Sequence, residues 1–478
     1  MEKKLERLYY GRIYPAAIAV LITVGHVFAL EFYTNALICL IASVGLLAVD
    51  SLRHFILPFC AYTYQISVRF APGMPSYSDV NFSGVRGAVT ALVLGVLFVS
   101  LVAFVVRRKA VLFDGRSIPL LIPSLAFGLA LVLNGALGGE WLAKSLIFGA
   151  VSVISLIFVP YLFYFGLHGE RAEELLSYFV YVTALIAWML VIQTLELYFS
   201  GSVLGELGTP IKENVVYGWG IWTTGGMALA VLMPVLILGA MREKNPVFYA
   251  VTALAALACS VLNLSRAALL VAVVATAAAL AVGCIFGERK RAFRVVCGFG
   301  AAALFVSASV FYKQISALLR DYADRGFSDN GRFDLWRYGV VEFLDAPIFG
   351  KGFFALETDT FQAIGFLPQM LHNTLVQIAA SMGLFGLAAY GYYRVHTVRV
   401  FLGHPSVEKA MLGLSMVALL LGSMLDNFIF YIQPTFYYSV ALALAFLLDK
   451  NEQKHPDLKK LSASRKKCKK TIDISILL

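Results

Sequence analysis

The chain has 478 residues, of which 60% are hydrophobic and only 14% charged, against about 25% charged in a soluble domain. Continuous apolar runs of the roughly 17–25 residues that cross a bilayer core recur from end to end, which excludes a soluble enzyme. A β-barrel is excluded too, because its short alternating strands are missing. The formal charge of +10 gathers partly in the tail, at Lys450, Lys454, Lys459, Lys460, Arg465, Lys466, Lys467, Lys469 and Lys470. No aromatic side chains interleave there, so the expected partner of that charge is an anionic lipid surface and not nucleic acid.

In chain order, the pattern predicts an all-α, polytopic helical membrane protein with about fourteen transmembrane helices. They fall at 13–30, 34–49, 52–68, 85–106, 118–134, 142–167, 175–199, 218–240, 246–264, 267–286, 293–311, 372–393, 407–425 and 432–448. The second and third could instead form one hairpin dipping partly into the bilayer. Lys3, Lys4, Arg7 and Arg12 precede the first span, which has no small-residue cleavage pattern and reads as uncleaved. The cysteines at 39, 60, 259, 284, 297 and 468 form no C-x-x-C pair. Most lie in or beside apolar runs, so neither a disulfide nor a zinc site is expected.

Lys and Arg in the short loops set the expected orientation. With the N-terminus inside, the inner loops hold Arg53, the stretch 107–116, Arg171, 242–244, 288–294 and 394–409, and the outer loops are poor in positive charge. Both termini are then cytoplasmic, and residues 312–371 form one large periplasmic loop. Residues 1–449 make one multi-span membrane domain that includes this loop, and 450–478 a basic cytoplasmic tail expected to be disordered. Within the loop, "SDN" at 328–330 is a helix-start signal. Phe333, Trp336, Val340, Phe343 and Leu344 then share one face at helical spacing. Pro347 and the Gly350–Gly352 pair end that helix. The loop therefore carries a short amphipathic helix on the membrane surface or over a cavity.

Three positions could carry chemistry. Ser265 and Arg266, in "NLSRAALL", stand at the start of a span, where a capping serine and the helix N-terminus favour an anion. The plainer reading is that Arg266 snorkels to the interface. Arg332 opens the loop helix and could equally be a solvated charge. His372 opens the span after Pro368, where a helix N-terminus disfavours imidazolium, although an interfacial histidine would look the same. Their common outer side is what joins them. Two guanidiniums suit a pyrophosphate and a neutral imidazole suits activation of a hydroxyl. Together they describe a transferase acting on a phosphate-linked lipid.

At this point the sequence resembles a known family. "NLSRAALL", "GRFDLWRYGVVEFLDAPIFGKGFF" and "HNTLVQIAASMGLFGLAAY" look like the motifs of the bacterial O-antigen ligase and O-antigen polymerase superfamily, membrane glycosyltransferases of the C type. The likeness is specific over about 260–390 and rests on topology elsewhere. It implies an undecaprenyl-diphosphate-linked glycan as donor, transfer on the periplasmic side of the inner membrane, and no metal or other cofactor. By motif position it implies Arg266 and Arg332 for the diphosphate and His372 as the catalytic residue. Ser265, Trp336 and Asn373 are supporting positions, and Asp426, in "MLDNFIF", is a looser match. The loop would then serve as a lid and as part of the active site, its apolar face resting on the bilayer or the donor's prenyl chain.

The first expectation is a ligase that moves a finished glycan to an acceptor such as lipid A–core. A polymerase joining lipid-linked repeat units shares the motifs, and a transporter of lipid-linked oligosaccharide is the third alternative. A transporter would place ionisable residues or broken helices near mid-membrane, whereas most spans here have clean apolar centres. "GKGFFA" at 350–355 fits G-x-G-x-x-A, but no strand–helix unit surrounds it, so it does not read as a nucleotide site. No paired carboxylates or His/Asp cluster reads as a metal site.

Overall fold

A computed structural model describes residues 2–61, 84–108, 118–136, 142–204, 216–217, 220–287, 298, 316, 331–356, 368, 370–403 and 406–454. The architecture is helical. In order come α1 (Glu2–Tyr10), α2 (Ile13–Val27), α3 (Glu31–Ala48), a 3-10 turn (Leu52–Phe55) running into α4 (Ile56–Ala61), α5 (Gly84–Arg107) and α6 (Leu121–Val132). Next are α7 (Ala143–Val153) and α8 (Val159–Gly166), joined by a π-helical turn, and α9 (Ala172–Phe199). A two-residue antiparallel pair, β1 (Val216–Tyr217) with β2 (Gly220–Ile221), leads into α10 (Trp222–Arg242), α11 (Pro246–Leu262) and α12 (Arg266–Phe286). The chain closes with α13 (Arg332–Asp345), α14 (Thr374–Leu402), α15 (Val407–Leu425) and α16 (Ile432–Lys454).

Eight helical segments among the described residues are long and apolar enough to span a membrane, and five shorter apolar helices accompany them. Together they account for every predicted span except 293–311, which lies outside the described residues apart from position 298. The protein is an all-α polytopic membrane protein. One boundary changes. The last helix continues to Lys454, so the first residues of the tail expected to be disordered are helical. Residues 455–478, with the rest of that tail, lie outside the described residues. Cys39, Cys60 and Cys259 are buried and Cys284 is half-buried, none of the four joined in a disulfide, and Cys297 and Cys468 lie outside the described residues.

Helix α10 forms the centre. Its sequence is apolar on every side, and every residue from Gly225 to Met241 is buried, as expected of a helix with no polar face. Small residues let its neighbours approach. A Cβ on Gly226 would stand 2.8 Å from Ala268 Cβ on α12, and one on Gly422 of α15 would stand 2.8 Å from the Met227 methyl. Without water to drive association, such close backbone packing holds membrane helices together.

The two ends of the bundle differ. One end is tied by ion pairs: Arg12–Glu243 at 3.0 Å, Arg242–Glu408 at 3.3 Å, Arg53–Glu170 at 3.5 Å and Lys409–Asp449 at 2.8 Å. The start of α12, the start of α14 and the end of α15 lie at the opposite end.

Helix α14, expected as an uninterrupted span, is broken. Gly383 has φ 65° and ψ −160°, a conformation open to glycine. The segment following α13 fills the break. Lys351 N donates to Ala380 O at 2.9 Å, and Gly352 N donates to Ser381 O at 3.0 Å. Leu384 N donates to Pro347 O at 2.8 Å, and Phe385 N to Ile348 O at 3.1 Å. These are the carbonyls and amides that an unbroken helix would pair with each other. In a bilayer they need partners of their own, and residues 347–352 supply them. The break is thus packed with protein, residues 347–352 standing against the Ser381–Gly383 backbone.

The same segment is clasped from its other side. Asn134 Oδ1 accepts from Phe353 N at 3.2 Å, and Ser145 Oγ accepts from Phe354 N at 3.0 Å. Gly135 N donates to Phe349 O at 3.1 Å. The "GKGFFA" stretch is therefore a structural clasp. Gly350 has φ 66° and touches the Ser381–Met382 backbone, where a side chain would not fit. Residues 347–354 are thereby anchored on α14, Asn134 and Ser145, which fixes the C-terminal end of the helix that carries Arg332.

Candidate active site

The site forms where α13, the entry to α14 and the turn between α15 and α16 meet. His372 precedes Asn373, the cap residue of α14, and takes the left-handed φ of 51°. A non-glycine residue rarely adopts it, and it persists only where surrounding contacts hold it. Those contacts are present on both sides. Leu371 N donates to Gln377 Oε1 at 2.8 Å. Asn373 Oδ1 accepts from Leu375 N at 3.0 Å and Val376 N at 3.2 Å, while its Nδ2 donates to Met424 O at 3.2 Å. The imidazole is thereby turned toward the end of α15.

There, His372 Nδ1 lies 3.0 Å from Asp426 Oδ1. Asp426 is buried, whereas about a third of the His372 side chain is exposed. A carboxylate accepting at Nδ1 fixes the tautomer that carries its proton there, which leaves Nε2 free to accept another. Position before a helix was the expected reason for His372 to present a basic nitrogen, and the structure adds a more direct one in Asp426. Asp426 Oδ1 also accepts from Asn427 N at 2.7 Å and from Tyr431 Oη at 3.3 Å. Asn427 Nδ2 donates to Gln377 Oε1 at 2.9 Å, and Gln377 Nε2 to Ser381 Oγ at 3.2 Å. This network joins α14 to the α15–α16 turn beneath the histidine.

Helix α13 starts at Arg332, with Gly331 (φ 74°) at its cap. The expected start signal at 328–330 lies outside the described residues. Leu335 and Gly339 form the packed face. A Cβ on Gly339 would stand 2.6 Å from Val376 and 2.7 Å from Leu371, so the glycine lets α13 approach the entry to α14 closely. Phe333, Val340 and Leu344, on the face expected to be apolar, remain exposed. Lys351 closes the far end of the helix through Glu342 at 2.7 Å and Asp345 at 2.6 Å.

Arg332 is half-buried, and its positive charge acts at a distance on the Tyr431 phenol that bonds Asp426. Trp336, one turn on, has an indole Nε1 that is shielded and meets no acceptor among the described residues. Such a buried donor calls for an explanation such as a water, an ion or a ligand.

Ser265 caps α12, accepting from Ala268 N at 3.4 Å, and Leu264 before it takes φ 55°. Arg266 is the first residue of that helix. It shares the end of the bundle with Asp426, since Gly226 packs on Ala268, and the next residue, Met227, packs on Gly422, one turn before Asp426. The structure thus brings His372 and Asp426 into direct contact, ties Asn373 to the end of α15 through Met424 O, sets Arg332 and Trp336 on the neighbouring helix, and places Ser265 and Arg266 across α10. Tyr431, Gln377 and Asn427 were not foreseen. A signal existed for two of them: Gln377 interrupts an apolar span and Asn427 follows the aspartate in "LDN". Among the described residues no group of three His, Cys, Asp or Glu side chains gathers as a metal site.

Residues 250–391 match the O-antigen ligase family. The match covers under a third of the chain. It contains Arg266, Arg332, Trp336, His372 and Asn373, while Asp426 and Tyr431 fall beyond it. No curated protein matches the chain. The matched stretch lies within this helical bundle, and the match supports an O-antigen ligase- or polymerase-like, membrane glycosyltransferase-like function in general terms. The matched family implies a lipid-linked glycan donor and a polysaccharide acceptor in the general sense.

Proposed function

We propose that the protein is an O-antigen ligase-type glycosyltransferase. It moves a glycan from undecaprenyl diphosphate to an acceptor such as lipid A–core, at the periplasmic face of the inner membrane and without a metal. The observation that carries this reading is the His372–Asp426 pair, 3.0 Å apart, with Nε2 left available beside the helix that bears Arg332. In the reaction, an acceptor hydroxyl forms a bond to the anomeric carbon as the bond from that carbon to the diphosphate breaks. The hydroxyl proton passes to His372 Nε2. The leaving diphosphate keeps the bonding electron pair, so it needs positive charge more than it needs a proton. Arg332 and Arg266 supply that charge as permanent cations with forked donors.

Ser265 sets the register of Arg266, Asn373 fixes the approach of His372, and Asp426 orients the imidazole. Trp336 offers to the glycan or diphosphate an indole N–H that meets no acceptor among the described residues. The exposed apolar face of α13 meets the acyl or prenyl phase. Orientation follows the loop charges: the ion-paired end is cytoplasmic with both termini, and the His372 end is periplasmic. Residues 1–449 act as one membrane unit, followed by a basic tail whose first residues continue the last helix to Lys454.

The test is transfer by the purified protein in nanodiscs, given a lipid-linked glycan and lipid A–core. Glycan on lipid A–core is the expected product. A ladder on the prenyl carrier identifies a polymerase using the same geometry, and glycan carried across a sealed bilayer unchanged identifies a transporter.

A further inference from the structure

Tyr431 lies outside the O-antigen ligase match and is not part of the His–Asp pair, yet it is built into that pair's surroundings. Its backbone is fixed from both sides: Tyr431 N donates to Phe428 O at 3.1 Å and Tyr431 O accepts from Thr435 Oγ1 at 2.7 Å. Its ring stands against Phe428, with centroids 5.4 Å apart. The ring is thus aimed by the turn, and its hydroxyl reaches Asp426 Oδ1 at 3.3 Å, the same oxygen that faces His372 Nδ1.

We infer that Tyr431 is a positioning residue that tempers the hold of Asp426 on His372 and so sets the pH range of the transferase. The inference rests on the proposed role of His372 as base. The physical step is short. A hydroxyl donated to Oδ1 withdraws negative charge from the carboxylate. The carboxylate then attracts positive charge developing on the facing imidazole less strongly. The titratable or charged side chains assigned around this oxygen are His372 at the entry to α14, Tyr431 before α16, and Arg332 on α13. Burial and the Asp426 carboxylate push the Tyr431 phenol well above its ordinary range, while Arg332 pulls the other way. The phenol therefore remains a donor throughout the working pH range. Arg332 acts on the same phenol, which links the proposed diphosphate side of the site to the base.

Tyr431→Phe keeps the ring and removes only the donor. The experiment is the pH profile of turnover for wild type, Tyr431→Phe and His372→Ala, with a lipid-linked glycan donor and lipid A–core in nanodiscs. In Tyr431→Phe the acid limb moves up by about half a unit, roughly a threefold loss below the limb, at unchanged donor KM, as expected for one neutral hydrogen bond. An unmoved limb overturns the inference. If His372→Ala is impaired while the Tyr431→Phe limb is unmoved, only the role of Tyr431 falls. If His372→Ala keeps its turnover, the base reading falls and takes this inference with it. Should Tyr431→Phe be too slow to assay, NMR titration of labelled histidine gives the same decision, with the His372 signal assigned through its alanine variant. An upward shift supports the role and an unshifted His372 ends it.

Discussion

His372 Nδ1 and Asp426 Oδ1 stand 3.0 Å apart, across 54 residues of sequence, at the end of the bundle away from its ion-paired face. Asp426→Asn keeps the shape of that contact but can present a donor where an acceptor stood, favouring the wrong imidazole tautomer. Turnover should fall by about 10²- to 10⁴-fold, within the usual worth of general-base help, with donor KM little changed. Rates of purified wild type and variant check this. Wild-type turnover in Asp426→Asn would remove Asp426 from the mechanism.

Lysine is a poor substitute for a guanidinium that holds a diphosphate at two oxygens. Arg332→Lys and Arg266→Lys should each lose at least about tenfold in kcat/KM for the lipid-linked donor, the scale of one charge-assisted hydrogen bond, while the protein still inserts. Full activity in both would return the two arginines to interfacial roles.

The clasp across the break in α14 predicts a structural effect distinct from a catalytic one. Gly350→Ala and Gly383→Ala place a Cβ against backbone and force alanine into φ 66° and φ 65°. Both should lower the melting temperature in detergent by several degrees and reduce inserted protein. A melting temperature equal to that of wild type would show that the break tolerates side chains and that the pairing of residues 347–352 with α14 is loose.

Lys351 offers a pH test of the same clasp. Asp345 and Glu342 raise its pKa above the ordinary lysine value. A cation with a raised folded pKa adds stability that is complete below its unfolded pKa of about 10.4 and lost as pH rises toward the folded one. Lys351→Met should therefore lower the melting temperature by a similar amount at pH 6 and pH 9. A difference that grows steeply from pH 6 to pH 9 would mean the lysine titrates in that window and is not held by its carboxylates.

Cysteine labelling tests orientation. Asp334 is exposed on α13, off its apolar face, and Arg171 is exposed at the opposite end, before α9. In cells with a permeabilised outer membrane, an impermeant thiol reagent should reach Asp334→Cys and spare Arg171→Cys until the inner membrane is opened. The reverse pattern would invert the proposed topology.

Much of this architecture was legible because bilayer physics is severe. A span must be long and apolar, so runs such as 175–199 and 407–425 announce α9 and α15 within a few residues. Three local signals also carried through. The pattern predicts a cap at Ser265, which caps α12, a span opening at His372, which stands just before α14, and a helix end at Pro347, two residues past the end of α13 at Asp345. What could not be read was long-range pairing. The break at Gly383 resembles any glycine in an apolar helix. Only the arrival of residues 347–352, with their own amides and carbonyls, makes interruption cheaper than continuity. The same applies to Asp426, whose partner lies on another helix, and to Tyr431, whose aim depends on the turn at Phe428–Phe430. The apolar face of α13 was visible in the pattern. That Leu335 and Gly339 would be the packed side was not, because burial there depends on how closely Val376 can approach.

The most direct test of the central claim is single-turnover glycan transfer by purified His372→Ala beside wild type, with donor affinity measured on the same preparations. The proposed mechanism predicts that wild type transfers glycan from the prenyl diphosphate to lipid A–core. The variant should bind the donor as tightly and transfer about 10²- to 10⁴-fold more slowly. Near-normal transfer by His372→Ala, or loss of donor binding in step with loss of transfer, would contradict it.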